Sequence, residues 1–260
     1  MQSKTEAVIA LMQRAGEVAL SYWPGQNSNP KELHSQLKED GSLVTAADIA
    51  CSRILVPGLQ HLYPEAIIVS EEEVPNLSNA TPQTLIFVDP IDGTSLFVEG
   101  SDDFGMLVGI CEKGIADVGV MYFPALNRFF FTDMPNSVRC SQNGIDPELS
   151  EIETLERDSV YLRAGDLEVQ DRCFSTSFLD TGVAFRRLIT GELAGVALYL
   201  RTLGPWDLAA PSALISSLGG TVTDEAGEPF VFTAQTDLSG RWFVATNGRV
   251  HNEVLERLPR

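Results

Sequence analysis

Two short apolar runs that each end in acids constrain this chain most. Residues 66–70 are apolar and β-branched and lead into Glu71-Glu72-Glu73, and residues 85–88 lead into Asp89. Runs this short are predicted to be buried strands that deliver carboxylates at their C-terminal edges. Residues 104–111, 117–123 and 128–132 read as further strands joined by short turns, an antiparallel meander. Upstream, Val8, Leu11, Met12, Ala15, Ala19 and Tyr22 recur at helical spacing. A second helix is predicted from Thr45, with Asp48 as its capping-box acid, to a stop near Pro57-Gly58.

At about 150 residues per domain, a chain of 260 holds one to two domains. The polar, acidic stretch 134–158, with Pro135, Asn143-Gly144 and Pro147, reads as a connection. That divides the chain into an N-terminal unit over 1–135, a connecting region over 136–158 and a smaller C-terminal unit over 159–260. In the last, 159–163, 194–200 and 242–246 look like strands, and 207–218 a helix stopped by Gly219-Gly220.

Charge and cysteine usage exclude several functions. With 18 Lys and Arg against 36 Asp and Glu, the net charge of −18 repels nucleic-acid polymers. Small phosphates stay admissible where something cationic intervenes locally. No basic leader precedes an apolar core, and no run nears the roughly 18 apolar residues of a spanning helix, so a cytoplasmic protein without a membrane partner is expected. The four cysteines, Cys51, Cys111, Cys140 and Cys173, form no CxxC pair and read as thiols in a reducing compartment. Three histidines without an HExxH pair argue against histidine-based zinc hydrolysis.

The chemistry concentrates in Asp89-Pro90-Ile91-Asp92-Gly93-Thr94. Two carboxylates flank a proline that fixes its own φ, a glycine permits a tight turn, and a hydroxyl follows. At a strand end this turns Asp89 and Asp92 toward one point. If a helix starts there, the Gly93 and Thr94 N–H groups are left for a phosphate oxygen. Converging carboxylates repel unless a cation lies between them, and hard oxygen ligands suit Mg²⁺ best, with Mn²⁺ or Ca²⁺ as alternatives. Taken alone, the string also suits a polar turn with an Asx cap. An EF-hand with Gly93 at its sixth position would put Val88 and Pro90 where oxygen ligands belong, and no GxxxxGK[ST] loop is present.

The segment Phe87 to Thr94 closely resembles the first signature of the inositol monophosphatase family, Mg²⁺-dependent, lithium-sensitive phosphomonoesterases that include bisphosphate nucleotidases. Trp206-Asp207-Leu208-Ala209-Ala210, followed by Gly219-Gly220, resembles the second signature. Lys38-Glu39-Asp40 leading to Val44-Thr45-Ala46-Ala47-Asp48, and Ser70-Glu71-Glu72, fit two further landmarks in order. The resemblance covers about residues 8 to 250. It implies the layered αβαβα sandwich of the sugar-phosphatase superfamily, an α+β or α/β fold, with the active site between the two halves. By similarity, Glu71, Asp89 and the Ile91 carbonyl hold one Mg²⁺. Asp89, Asp92 and Asp207 hold a second, and a third, weaker ion lies near Glu71. Thr94 and Asp48 resemble the pair that orients and deprotonates the attacking water, with Glu71 also on the catalytic side, and the phosphate rests on the Gly93 and Thr94 amides. Lys38 is placed near the site. The partner is then a small phosphorylated metabolite, and a homodimer is admitted.

Three departures bear on substrate. Ser95-Leu96-Phe97 follows the Asp-Gly-Thr, siding with neither inositol phosphatases nor nucleotidases. Leu179-Asp180-Thr181-Gly182 aligns where the family opens a helix with Gly-Ser/Thr-Ala-Ala. Leu200 aligns with the acid that contacts inositol hydroxyls, seven residues before Asp207. A leucine leaves such hydroxyls unpaired at ~1–3 kcal/mol each, which counts against inositol recognition but not against hydrolysis. Leu96 and Leu200 suit a more apolar, base-sized partner such as adenosine 3′,5′-bisphosphate. Inositol 1-phosphate, histidinol phosphate and fructose 1,6-bisphosphate stay open, as does a non-catalytic homologue that keeps the fold.

Overall fold

The structure is a computed structural model that describes residues 4–25, 32–38, 43–73, 75, 83–134, 137–141 and 147–259. In chain order the first half contains α1 (Lys4–Tyr22), β1 (Gln36–Leu37), β2 (Leu43–Val44), α2 (Ala46–Leu62), β3 (Ile67–Ser70), β4 (Thr84–Asp92) and α3 (Thr94–Val98). The meander β5 (Gly105–Glu112), β6 (Ile115–Phe123), β7 (Arg128–Met134) and β8 (Ser137–Ser141) follows. The second half contains β9 (Val160–Arg163), β10 (Phe174–Ser175), α4 (Thr181–Ile189), β11 (Gly195–Tyr199), α5 (Pro205–Ser217), β12 (Thr221–Thr223), β13 (Trp242–Thr246) and α6 (His251–Arg257).

The two acid-terminated runs lie side by side. β3 and β4 pair in parallel, Ile67 with Leu85 through Ser70 with Val88, so Glu71 and Asp89 emerge at the same sheet edge. β4 to β8 continue as antiparallel neighbours in a six-stranded sheet. Both faces of β4 are buried, as period-2 alternation allows. Leu85 and Phe87 join one apolar cluster, while Ile86 and Val88 join another with Val8, Met12, Cys51 and Leu55 of α1 and α2.

The second sheet runs β10-β9-β11-β13-β12. Between the sheets lies α5, buried from Asp207 to Ile215, as a helix apolar on all sides should be. Glycines let it approach the first sheet: a Cβ on Gly119 would stand 2.2 Å from the Ala210 carbonyl oxygen, and one on Gly109 would stand 2.5 Å from the Ala209 Cβ. One core cluster therefore joins Phe87 and Leu107 of the first sheet, Leu208 and Leu214 of α5, and Leu198 and Phe243 of the second sheet. A third cluster covers the far face of the second sheet, with Val160, Val244 and Val254 of α6. The layers are thus helices, sheet, helices, sheet, helix, the expected αβαβα sandwich. No helix among the described residues is long and apolar enough to cross a membrane.

Several boundaries differ from expectation. α2 runs through Pro57 to Leu62, because Leu55 and Leu59 keep burying its apolar face. Gly58 is there for packing, since a Cβ would lie 2.5 Å from Leu11 Cδ1. β4 does not stop at Asp89 but continues to Asp92, with a register shift between Asp89 and Asp92. Pro90 cannot donate to a ladder, and a bulge accommodates that. β8 falls inside the stretch read as a connection, so the first sheet extends past the boundary drawn at residue 135. Its sequence, Ser-Val-Arg-Cys-Ser, is too short and polar to announce a strand.

Candidate active site

The bulge that ends β4 aims its acids. Asp89 Oδ1 accepts a hydrogen bond from the Ile91 N–H at 3.0 Å, which turns the chain back on itself. Gly93 then adopts φ 78°, a left-handed conformation that glycine takes without strain, and becomes the N-cap of α3. As the opening residues of a helix, Gly93 and Thr94 have amides without a helical acceptor. Across the cleft, Pro205 starts α5 and places Asp207 in its first turn, where Oδ2 accepts from the Gly204 N–H at 2.7 Å.

Asp89, Asp92 and Asp207 are all buried, and each offers a carboxylate oxygen within 4.8 Å of the other two. Burial, followed by repulsion from Glu71, Asp92 and Asp207, pushes the Asp89 carboxyl far above the usual carboxylate range. Burial and then Asp180 and Asp207 do the same to Asp92, against a 2.9 Å hydrogen bond from the Gly182 N–H. Burial and then Glu71 push Asp207 up to about 8. Three buried, mutually repelling hard-oxygen donors fit a divalent cation.

The other expected residues surround this cluster. Glu71, at the end of β3, and Lys38 line the same pocket, and Lys38 Nζ lies 2.7 Å from both Glu71 Oε1 and Glu72 Oε1. Burial opposes the Lys38 charge, but the two glutamates outweigh it and raise its pKa. Asp48 is fully buried at the start of α2, its Oδ2 accepting from the Thr45 N–H at 2.8 Å in the capping box. Its Oδ1 faces the Thr94 hydroxyl at 3.4 Å, and that hydroxyl also lies 3.1 Å from the Ile91 carbonyl oxygen. Burial, partly offset by the Thr45 hydrogen bonds, pushes Asp48 up to about 7. Glu39 and Asp40 lie outside the described residues.

The pocket above these groups has a volume of about 440 Å³ and is also lined by Ile91, Gly93 and Leu96. Leu200 is not part of it. It closes the end of β11 with no exposed surface, inside the core with Leu198 and Leu208, so its expected substrate-side position is corrected. The lining residues after β11 are instead Thr202 and Leu203. Asp180 and Thr181, at the helix start aligned with Gly-Ser/Thr-Ala-Ala, also line the pocket, as do Arg163 and Phe178, which were not anticipated. Arg163 ends β9 as the acids end β3 and β4, and Asp180 caps the aligned helix, so strand-end position and the departure from Gly-Ser/Thr-Ala-Ala were the available signals.

Comparison with known proteins identifies the family and agrees with the fold. A sequence profile described as the inositol monophosphatase family matches residues 1–258. The fructose-1,6-bisphosphatase/inositol-1-monophosphatase of Thermotoga maritima is 26% identical over 95% of this chain and 93% of its own. The 3′(2′),5′-bisphosphate nucleotidase CysQ of Escherichia coli K12 is 27% identical over 88% and 93%. Among solved structures, the Thermotoga maritima IMPase superposes with a TM-score of 0.74 at 24% identity, covering 95% of this chain and 93% of that one. The suhB protein of Bartonella henselae gives 0.76 at 21% identity, covering 96% of each. An IMPase/NADP phosphatase solved with NADP and Ca²⁺ gives 0.78 at 17% identity, covering 99% and 97%. With its acids at paired strand ends and its layered sandwich, the chain belongs to the inositol monophosphatase family and is a metal-dependent phosphomonoesterase.

Proposed function

We propose that the pocket hydrolyses a small phosphate monoester to an alcohol and inorganic phosphate, with Mg²⁺ as the resident cation. The observation that carries this reading is the buried convergence of Asp89, Asp92 and Asp207. In this reading these three carboxylates hold one ion, and Asp89, Glu71 and the Ile91 carbonyl hold another. Lys38 already supplies positive charge at Glu71 and Glu72, which favours two ions over three. The bound ions supply Lewis-acid charge that acidifies the attacking water and offsets the charge on the leaving oxygen. Thr94 holds that water by its hydroxyl, and Asp48 takes the proton through Thr94. A pKa of about 7 suits Asp48 to accept a proton near neutral pH. The Gly93 and Thr94 amides seat the phosphate oxygens. Relatives support the chemistry: one neighbour was solved with Mg²⁺ and phosphate, and another as a lithium-inhibited complex.

The test is phosphate release from inositol 1-phosphate, adenosine 3′,5′-bisphosphate, fructose 1,6-bisphosphate and histidinol phosphate, with and without Mg²⁺ and Li⁺. Mg²⁺-dependent, lithium-sensitive turnover of at least one is expected. Stoichiometric Mg²⁺ binding with no turnover of any would move the chain to the non-catalytic reading.

A second reading, nucleotidase specificity, is favoured by the pocket rim. Leu37 and Phe178 are each 73% exposed, yet both line the pocket. Apolar groups at a pocket mouth offer a face for a flat base. Phe178→Ala should therefore raise KM for adenosine 3′,5′-bisphosphate about tenfold and leave KM for inositol 1-phosphate within about twofold, since a stacked base is worth ~1–3 kcal/mol. Equal effects on both substrates would remove the base from this rim.

A further inference from the structure

The helix α4 belongs to the second half by packing, yet one of its faces is pinned to the first. Phe185, Leu188 and Ile189 sink into the core that α4 shares with α5 and β11. Gly182 and Arg186 are four residues apart, so they stand one above the other on the same side of the helix. At Gly182 the fit is close: its N–H donates to Asp92 Oδ2 at 2.9 Å, and a Cβ there would lie 2.0 Å from that oxygen. One turn on, Arg186 Nη2 lies 2.7 Å from Asp103 Oδ1, in the segment between α3 and β5. The guanidinium carbon stands 4.9 Å from the centroid of the Phe123 ring, at the end of β6. Arg186 Nη1 is buried without a hydrogen-bond partner among the described residues, and the ring face compensates in part for that burial.

Both supports of Arg186 lead back to Asp92. Gly105, two residues after Asp103, is the ladder partner of Asp92 across β4 and β5. A Cβ on Gly105 would stand 3.3 Å from Phe123 Cε1, so the ring lies against that partner. The seat of Arg186 and the carboxylate that Gly182 meets are therefore neighbouring parts of one sheet edge. Asp180, the N-cap of the same helix, also meets the Asp92 carboxyl, and two acids in contact push the helix start away from β4. A 2.9 Å hydrogen bond with so little clearance tolerates little slip in α4, and the group that holds an oxygen of a metal ligand sets how the ligand points. We propose that Arg186 is a positioning residue: clamped by Asp103 and Phe123, it holds α4 at the depth where the Gly182 N–H orients Asp92 for the cation. Arg186 itself does not line the pocket. The proposal rests on the phosphomonoesterase reading for the role of Asp92 as a ligand.

Calorimetric titration of the full chain with Mn²⁺ alone reads that orientation without any substrate. Arg186→Ala should weaken Mn²⁺ affinity about ten- to a hundredfold, the usual cost of losing the outer support of a metal ligand. Asp103→Asn should reproduce part of the loss. A variant carrying both changes should be no weaker than Arg186→Ala, because the two residues act through one contact. Arg187→Ala removes a neighbouring arginine that only approaches Glu192 at 3.8 Å, and should stay within about twofold of wild type. In phosphate release, the Mg²⁺ concentration for half-maximal rate should rise with the Mn²⁺ loss, while KM for the ester at saturating Mg²⁺ stays within about twofold. A lower melting temperature in Arg186→Ala with Mn²⁺ affinity unchanged makes the bridge purely structural and overturns the proposal. Losses that simply multiply in the double variant overturn it too. Should Arg186→Ala not fold, Asp103→Asn decides, since that side chain is 43% exposed and lies outside the core: unchanged Mn²⁺ affinity there overturns the proposal. Mn²⁺ binding that depends on Arg186 in a protein that turns over no ester keeps the positioning role and removes the phosphatase reading. A wild-type protein that binds no Mn²⁺ overturns both.

Discussion

Asp89→Asn is expected to lower Mg²⁺-dependent kcat by at least about a thousandfold, beyond the ~10²–10³ lost with a single transition-state donor. Asp89 lies at the centre of the acid cluster, repelled in turn by Glu71, Asp92 and Asp207. Removing its charge removes a ligand that both proposed ions share. The same substitution should stabilise the metal-free protein, because the buried Asp89 carboxylate is paired with no cation among the described residues. Burial and the repulsion of its neighbours raise its pKa far above the ordinary value, so replacing the carboxylate with a neutral amide should raise the metal-free melting temperature. A dead enzyme with a higher metal-free melting temperature is the signature of a site that trades stability for chemistry. A dead enzyme with a lower one would make Asp89 a structural residue.

Metal should stabilise the wild-type protein, and do so more at high pH. Burial and repulsion raise Asp48 to about 7 and Asp207 to about 8, and raise Asp89 and Asp92 as well. In a metal-free protein, groups raised this way contribute stability that is full below the unfolded value near 4 and is lost as pH rises through the folded values. His251 works in the opposite sense. Burial between the Thr223 and Thr246 hydroxyls lowers its pKa, so its contribution is lost as pH falls below about 6.5. The four acids outnumber it, so the metal-free melting temperature should fall between pH 5.5 and 8.5. Mg²⁺ at a hundred times its Kd adds ~2.7 kcal/mol, or about 5–10 °C at this size. That increment should shrink at pH 5.5, where protons compete for the same oxygens. Thermal melts at both pH values, with and without Mg²⁺, check it. An increment independent of pH, or retained in Asp207→Asn, would place the cation elsewhere.

Legibility followed distance along the chain. The strand pair that carries Glu71 and Asp89 could be read from two local apolar runs, whereas Asp207 was reached only through the resemblance of Trp206-Asp207-Leu208-Ala209-Ala210 to a family signature. The capping box at Thr45 and Asp48 was equally local. What escaped depended on packing between distant segments. Leu200 was counted back from Asp207, but its depth is set by α5 and the second sheet closing around it. Pro57 marks a helix end only if nothing holds the next turn, and Leu59 does hold it. Arg163 lines the pocket from a different sheet, and no spacing in the sequence connects it to Gly93.

The central claim is that Asp89, Asp92 and Asp207 enclose a divalent cation on which the phosphate ester is hydrolysed. Anomalous diffraction from crystals grown with Mn²⁺ and inorganic phosphate tests it most directly. The account expects a manganese peak among those three carboxylates, a second between Asp89 and Glu71, and phosphate against the Gly93 and Thr94 amides. Manganese bound only elsewhere on the acidic surface, with the three carboxylates empty at saturating metal and neutral pH, would contradict it.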